Sequence, residues 1–293
     1  MFNPGHTVVN AFIQRLDDEF RSLFLAPDLI QRQALREAAD VALNTLLNCD
    51  CAYHDLDHTV LVTEAGMAIL RGRQTARGDL SASDWLQAVV AMLFHDIGYL
   101  RQLLPEDTTE LSVMDQSGKR VRPPAGATDA FMTPYHVSRG ALYAARRFDE
   151  HEAIDAELVS ECIEMTRFPV PENAAYQHTD TLPALVRAAD LIGQMGDPQY
   201  LQKLNRLLSE FVETGQADRL GFSTPQELRA SFPDFFYNQV HPFIGDAIAY
   251  LKLSPEGRQW IANLFAHLDA NSANQDSSPS VRAPELVIDN SAL

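Results

Sequence analysis

Apolar residues recur along this chain mainly at helical spacing. Val8, Phe12, Leu16 and Phe20 lie four apart, which stacks them on one helix face. The stretch from Leu29 to Leu47 is rich in Ala, Leu, Arg and Glu, all good helix formers, and predicts a second helix. A third is predicted over Val60–Ala76 and a fourth over Ser83–Phe94. In the fourth, Ser83 serves as N-cap and Asp84 sits in the first turn, where oxygen acceptors and negative charge meet free backbone amides. Further helices are predicted over Tyr135–Phe148, Glu152–Thr166, Leu182–Met195, Pro198–Glu213, Phe235–Leu251 and Ser254–Leu268. Pro198 and Pro255 suit first-turn positions. No run of alternating β-branched residues bounded by turn pairs stands out. The expected fold class is therefore all-α.

Two segments break the pattern. From about Gln102 to Pro134 the chain is polar and carries Pro105, Gly118, Pro123, Pro124 and Gly126. A loop of that length inside a compact domain is usually functional or disordered. From about Asn271 onward Asn, Ser, Asp and Pro dominate, the composition of a disordered tail. Residues 1–270 are read as one domain and 271–293 as that tail.

Composition narrows the function classes. The chain has 293 residues, 46% of them apolar, enough for a large core without disulfides. The three cysteines, Cys49, Cys51 and Cys162, form neither a disulfide framework nor a zinc-ribbon pattern, which suggests a reducing, cytoplasmic setting. No basic segment followed by an apolar run opens the chain, and no stretch is apolar for long enough to span a bilayer, so no membrane partner is expected. A formal charge of −17 disfavours nucleic-acid polymers as partners; the one basic cluster is Lys119, Arg120 and Arg122. Abundant carboxylates suit a divalent cation.

The chemistry-bearing residues lie in four segments: Tyr53-His54-Asp55-Leu56-Asp57-His58, Leu93-Phe94-His95-Asp96-Ile97-Gly98, Tyr135-His136-Val137-Ser138-Arg139, and Val186-Arg187-Ala188-Ala189-Asp190-Leu191-Ile192. His95-Asp96 ends an almost wholly apolar run beginning at Ala88. A carboxylate there costs several kcal/mol unless something compensates it, and a divalent cation would. Asp190 raises the same problem; an ion pair with Arg187, three residues earlier, is the plain alternative. A helix would place His54 and His58 on one face. The glutamate of a zinc-protease HExxH motif is missing, because residue 55 is Asp.

Together, over roughly Tyr53 to Asp190, these segments resemble the HD superfamily of metal-dependent phosphohydrolases. His95-Asp96 followed by Ile-Gly is similar to the family's signature dyad. The resemblance implies a helical bundle of HD type with a recognised core of about residues 53–195. It also implies a metal site built from His58, His95, Asp96 and Asp190. Tyr53-His54-x-x-x-His58 is similar to a segment of the cyclic-nucleotide phosphodiesterases, which implies that His54 is the general acid and His58 a ligand. His136 fits the place of a further histidine in two-metal members, whereas Thr166 stands where the next would fall.

The expected cofactor is one or two divalent ions, Mn, Mg, Fe or Zn. The resemblance implies hydrolysis of a small phosphoester, a nucleotide or cyclic nucleotide, by metal-activated water, with His54 and Asp96 catalytic and His136 contacting substrate. Arg139 and Arg167 are candidate phosphate clamps, and Lys119, Arg120 and Arg122 a candidate lid. The alternatives are a nucleoside monophosphate phosphatase, a di-iron oxygenase of the same superfamily, and a non-catalytic nucleotide-binding domain. A homo-oligomer is left open. Asp55 and Asp57 are read as first-turn carboxylates, Trp85 and Trp260 as core, and His6, His151, His178, His241 and His267 as structural.

Overall fold

The computed structural model describes residues 3–24 and 28–275, with the side chains of 271–275 outside the description. The fold is all-α. The longer helices are α1 (Pro4–Leu23), α2 (Leu29–Leu46), α3 (Leu56–Arg77), α4 (Ala82–Phe94), α5 (His136–Arg147), α6 (Ala156–Met165), α7 (Leu182–Met195) and α8 (Tyr200–Glu213). Three short helices follow: α9 (Gln216–Leu220), α10 (Pro225–Ala230) and α11 (Phe232–Phe235). A π turn, Phe236–Val240, then leads into α12 (His241–Leu251) and α13 (Pro255–Gln275). The one sheet among the described residues pairs β1 (Ser112–Val113) with β2 (Arg120–Val121), antiparallel. No helix among them is long and apolar enough to cross a membrane.

Helix α4 is the centre of the molecule. Every residue from Trp85 to Phe94 is buried, as expected of a helix that is apolar on all sides. Its N-terminus is fixed by a capping box between Ser81 and Asp84, so Ser81 rather than Ser83 is the cap. Helices α3 and α7 make the most extensive helix–helix contact. Gly193 permits it: a Cβ there would stand 2.5 Å from the Val62 Cα.

Several boundaries differ from expectation for local reasons. In α1 the buried face runs through Val9, Phe12, Ile13, Leu16 and Phe20, while Val8 is half exposed. Asp155 caps α6 through the amides of Glu157 and Leu158, so the helix starts after it and not at Glu152. Pro198 lies before α8, which starts at Tyr200. Helix α13 continues to Gln275, past the expected end at Leu268 and into the expected tail; residues 276–293 lie outside the described residues. The segment 102–134 is no featureless loop. It holds the β1–β2 hairpin, and Asp107 ties it down by accepting from the amides of Leu104 and Val113.

Candidate metal centre

Three helices deliver the centre. His58 lies in the first turn of α3, His95 and Asp96 follow the end of α4, and Asp190 lies in α7. His95 Nδ1 donates to the Met92 carbonyl at 2.7 Å, which leaves Nε2 as the free lone pair. That nitrogen lies 3.2 Å from Asp96 Oδ2, 3.7 Å from Asp190 Oδ1 and 3.4 Å from His58 Nε2. His58 Nε2 lies 3.3 Å from Asp96 Oδ2 and 3.4 Å from Asp190 Oδ1.

These separations fit a shared cation. Metal–ligand bonds of about 2.1 Å place tetrahedral neighbours about 3.4 Å apart and octahedral neighbours about 3.0 Å apart. Asp96 Oδ2 is buried and has no hydrogen-bond partner, although both imidazoles approach it. An unsatisfied buried carboxylate oxygen is costly, and a cation on it removes the cost. Arg187 does not supply that charge to Asp190. Its guanidinium donates to the carbonyls of Tyr176 and His178 and stacks over Phe243.

Burial pushes His58 down, but the adjacent carboxylates of Asp190 and Asp96 outweigh it and hold the imidazole up at about 10. Burial pushes Asp96 up, yet His95 and His58 hold it well below the ordinary aspartate value. The result is a deprotonated carboxylate facing two ring nitrogens, a donor set suited to a borderline or hard divalent ion.

His54 sits beside this group but not in α3. The Asp55 side chain accepts from the His58 amide at 3.1 Å and caps the helix, so the helix starts at Leu56 and the expected shared face with His58 does not form. Glu210 of α8 fixes His54 instead. Its Oε2 lies 2.5 Å from His54 Nδ1, and its Oε1 accepts from the amides of Tyr53 and His54. Burial lowers the His54 imidazole, but the charge and hydrogen bond of Glu210 raise it above the ordinary histidine value. One His54 nitrogen is within 4.8 Å of ligand atoms on His58 and Asp96.

His136 Nδ1 bonds to the Thr133 carbonyl at 2.7 Å, and Nε2 points to Asp96 Oδ1 at 3.7 Å. Burial lowers this imidazole to about 4. The Tyr99 ring stacks between those of His54, 4.9 Å away, and His136, 4.2 Å away. The two metal-competent groups among the described residues share His58, and neither includes His136. Thr166 lines the cavity, with its hydroxyl donating to the Ile163 carbonyl.

The arginine assignments need correction. Arg139 is fully buried, paired with Asp107 at 2.9 Å and donating to the carbonyls of Gly98, Leu100 and Val113. It braces the turn after the dyad and cannot clamp a substrate. Arg167 bonds bidentately to Glu164 and donates to Ser138, off the cavity wall. Lys119, Arg120 and Arg122 are exposed around the hairpin, with Arg122 on Glu110, and none lines the cavity.

That cavity, about 480 Å³, opens beside Asp96 and Asp190. Helices after α7 form much of its wall, through Tyr200, Leu207, Phe211, Leu228, Phe232 and Phe235. Neither Tyr99 nor Glu210 is marked by the motif pattern. Glu210 does carry a signal, an acid on the buried face of α8 with Leu204 and Leu207.

The fold and the cluster define an all-α protein with a His/Asp group that could hold a metal ion. The chain belongs to the Npun_R2479-like family, whose sequence model matches residues 2–273. No curated protein and no solved structure matches it.

Proposed function

We propose that this protein is a metal-dependent phosphohydrolase of HD type that cleaves a small phosphoester with a metal-activated water. The closeness of His58 and His95 to Asp96 and Asp190 supports the reading, with His58 common to the two groups that could hold an ion, His54/His58/Asp96 and His58/His95/Asp190. A divalent ion held by these four would lower the pKa of a bound water and withdraw charge from a phosphoryl oxygen. Asp96 and Asp190 would orient the attacking water. His54, backed by Glu210, holds a proton next to Asp96 and can give it to the departing oxygen as general acid. The cavity beside the cluster gives the ester room.

The test is metal content and phosphoesterase turnover of the purified protein with Mn, Mg, Fe and Zn, alongside Asp96→Ala. The expected result is metal bound near stoichiometry and turnover that chelation or the substitution abolishes. Turnover indifferent to both would overturn the proposal. Two irons per chain with oxygen consumption would assign the protein to oxygenase chemistry instead.

A further inference from the structure

The cavity beside the cluster is acidic as well as apolar. Asp96, Asp190 and Asp234 line it, and no Lys or Arg does among the described residues. Arg139, Arg167 and Arg187 are bound to protein acceptors: Arg139 to Asp107, Arg167 to Glu164, and Arg187 to two carbonyls. One divalent ion would offset the charges of Asp96 and Asp190, Asp234 is exposed to solvent, and any positive charge on His54 is already met by Glu210. A ligand's second negative charge would thus find no cationic side chain among the described residues of the wall to compensate it.

The rest of the wall suits an uncharged body. Phe168, Phe211, Phe222, Phe232 and Phe235 present rings, with Phe168 and Phe235 edge-to-face at 5.7 Å. Gln194, Gln216, Asn238 and Gln239 also line it, and their amides have no hydrogen-bond partner among the described residues. Asn238 and Gln239 lie in the π turn, a kind of distortion that recurs at functional sites. Neutral amides among rings recognise uncharged polar groups on an apolar scaffold.

We infer that the substrate is an ester with a single negative charge at the reacting group and an apolar, ring-bearing body, and that dianionic monoesters and polyphosphates are rejected. The inference rests on the phosphohydrolase reading for the ester, and on the cavity alone for charge and body. It favours a phosphodiester over a nucleoside monophosphate.

The experiment compares binding by calorimetry of diphenyl phosphate, phenyl phosphate and ADP to metal-loaded and metal-free protein. It is run at about pH 8, above the second phosphate pKa near 6. Turnover of the two phenyl esters is measured in parallel. Diphenyl phosphate is expected to bind tighter than either other probe by about tenfold or more (about 1.4 kcal/mol). Phe235→Ala should weaken its binding several-fold while metal content stays unchanged. Equal or tighter binding of phenyl phosphate or ADP overturns the inference, as does no binding of any probe or indifference to Phe235→Ala. If the binding order holds but the metal-loaded protein turns over neither ester, the charge rule stands and the hydrolase reading falls.

Discussion

Arg139 has no access to solvent, and its charge depends on Asp107 and three carbonyls. Burial raises the Asp107 carboxyl, but hydrogen bonds from Arg139 and from the amides of Val113 and Leu104 outweigh it and hold the group below its ordinary value. A depressed folded-state pKa contributes stability above the unfolded pKa that is lost as pH falls through the folded one. Asp107→Asn should therefore cost about 3 kcal/mol at neutral pH, the usual result of stranding one member of a buried pair. The gap between variant and wild type should close as pH drops below the normal aspartate range; denaturant melts across pH measure it. Under the proposed function, Glu210 would position His54. Glu210→Gln should lower kcat about 10- to 100-fold and shift the pH profile of kcat, with KM and metal content little changed. An unchanged pH profile would remove His54 as the acid. The residues of the candidate cluster are legible because carboxylates and imidazoles interrupt apolar runs. The partners of Arg139 and His54 are not, because Asp107 lies 32 residues from Arg139 in an aperiodic segment and Glu210 lies 156 residues from His54 in an ordinary amphipathic helix.

Helix contacts set the geometry that those residues share. Gly193 lies less than one turn beyond Asp190, and Val62 one turn beyond His58, so the spacing of α7 on α3 controls the distance between Asp190 and His58. Gly193→Ala puts a methyl 2.5 Å from backbone and must part the helices. The expected cost is about 1–3 kcal/mol, with metal affinity reduced about tenfold or more. Denaturant melts and metal titration check the two effects separately, and a loss of stability with unchanged affinity would show that the contact does not set the site. Helical periodicity anticipated α7 at both ends, since Thr181 and Pro183 start it and an apolar stripe fills it. It failed at caps, where Ser81 and Asp155 win by bonding backbone amides, a choice that hydrophobic spacing does not record. It also missed the π turn, because the apolar stripe runs on through Phe236 and Val240.

At the scale of the whole molecule, α8 and the helices after it complete the cavity that α7 and the segments at His54 and Asp96 begin, so the chain beyond Asp190 shapes the candidate site. A ligand that binds only the folded state stabilises it. At metal about a hundredfold above its Kd the gain is about 2.7 kcal/mol, and chelation should lower Tm by roughly 5–10 °C. A differential scanning calorimetry trace that chelator leaves in place would contradict this. The most direct test of the central claim is anomalous diffraction at the metal edge from crystals of the metal-loaded protein. The account predicts one peak about 2.0–2.3 Å from His58 Nε2, His95 Nε2, an Asp96 oxygen and an Asp190 oxygen. A metal held by other residues, with these four side chains bonded only to one another, would contradict it.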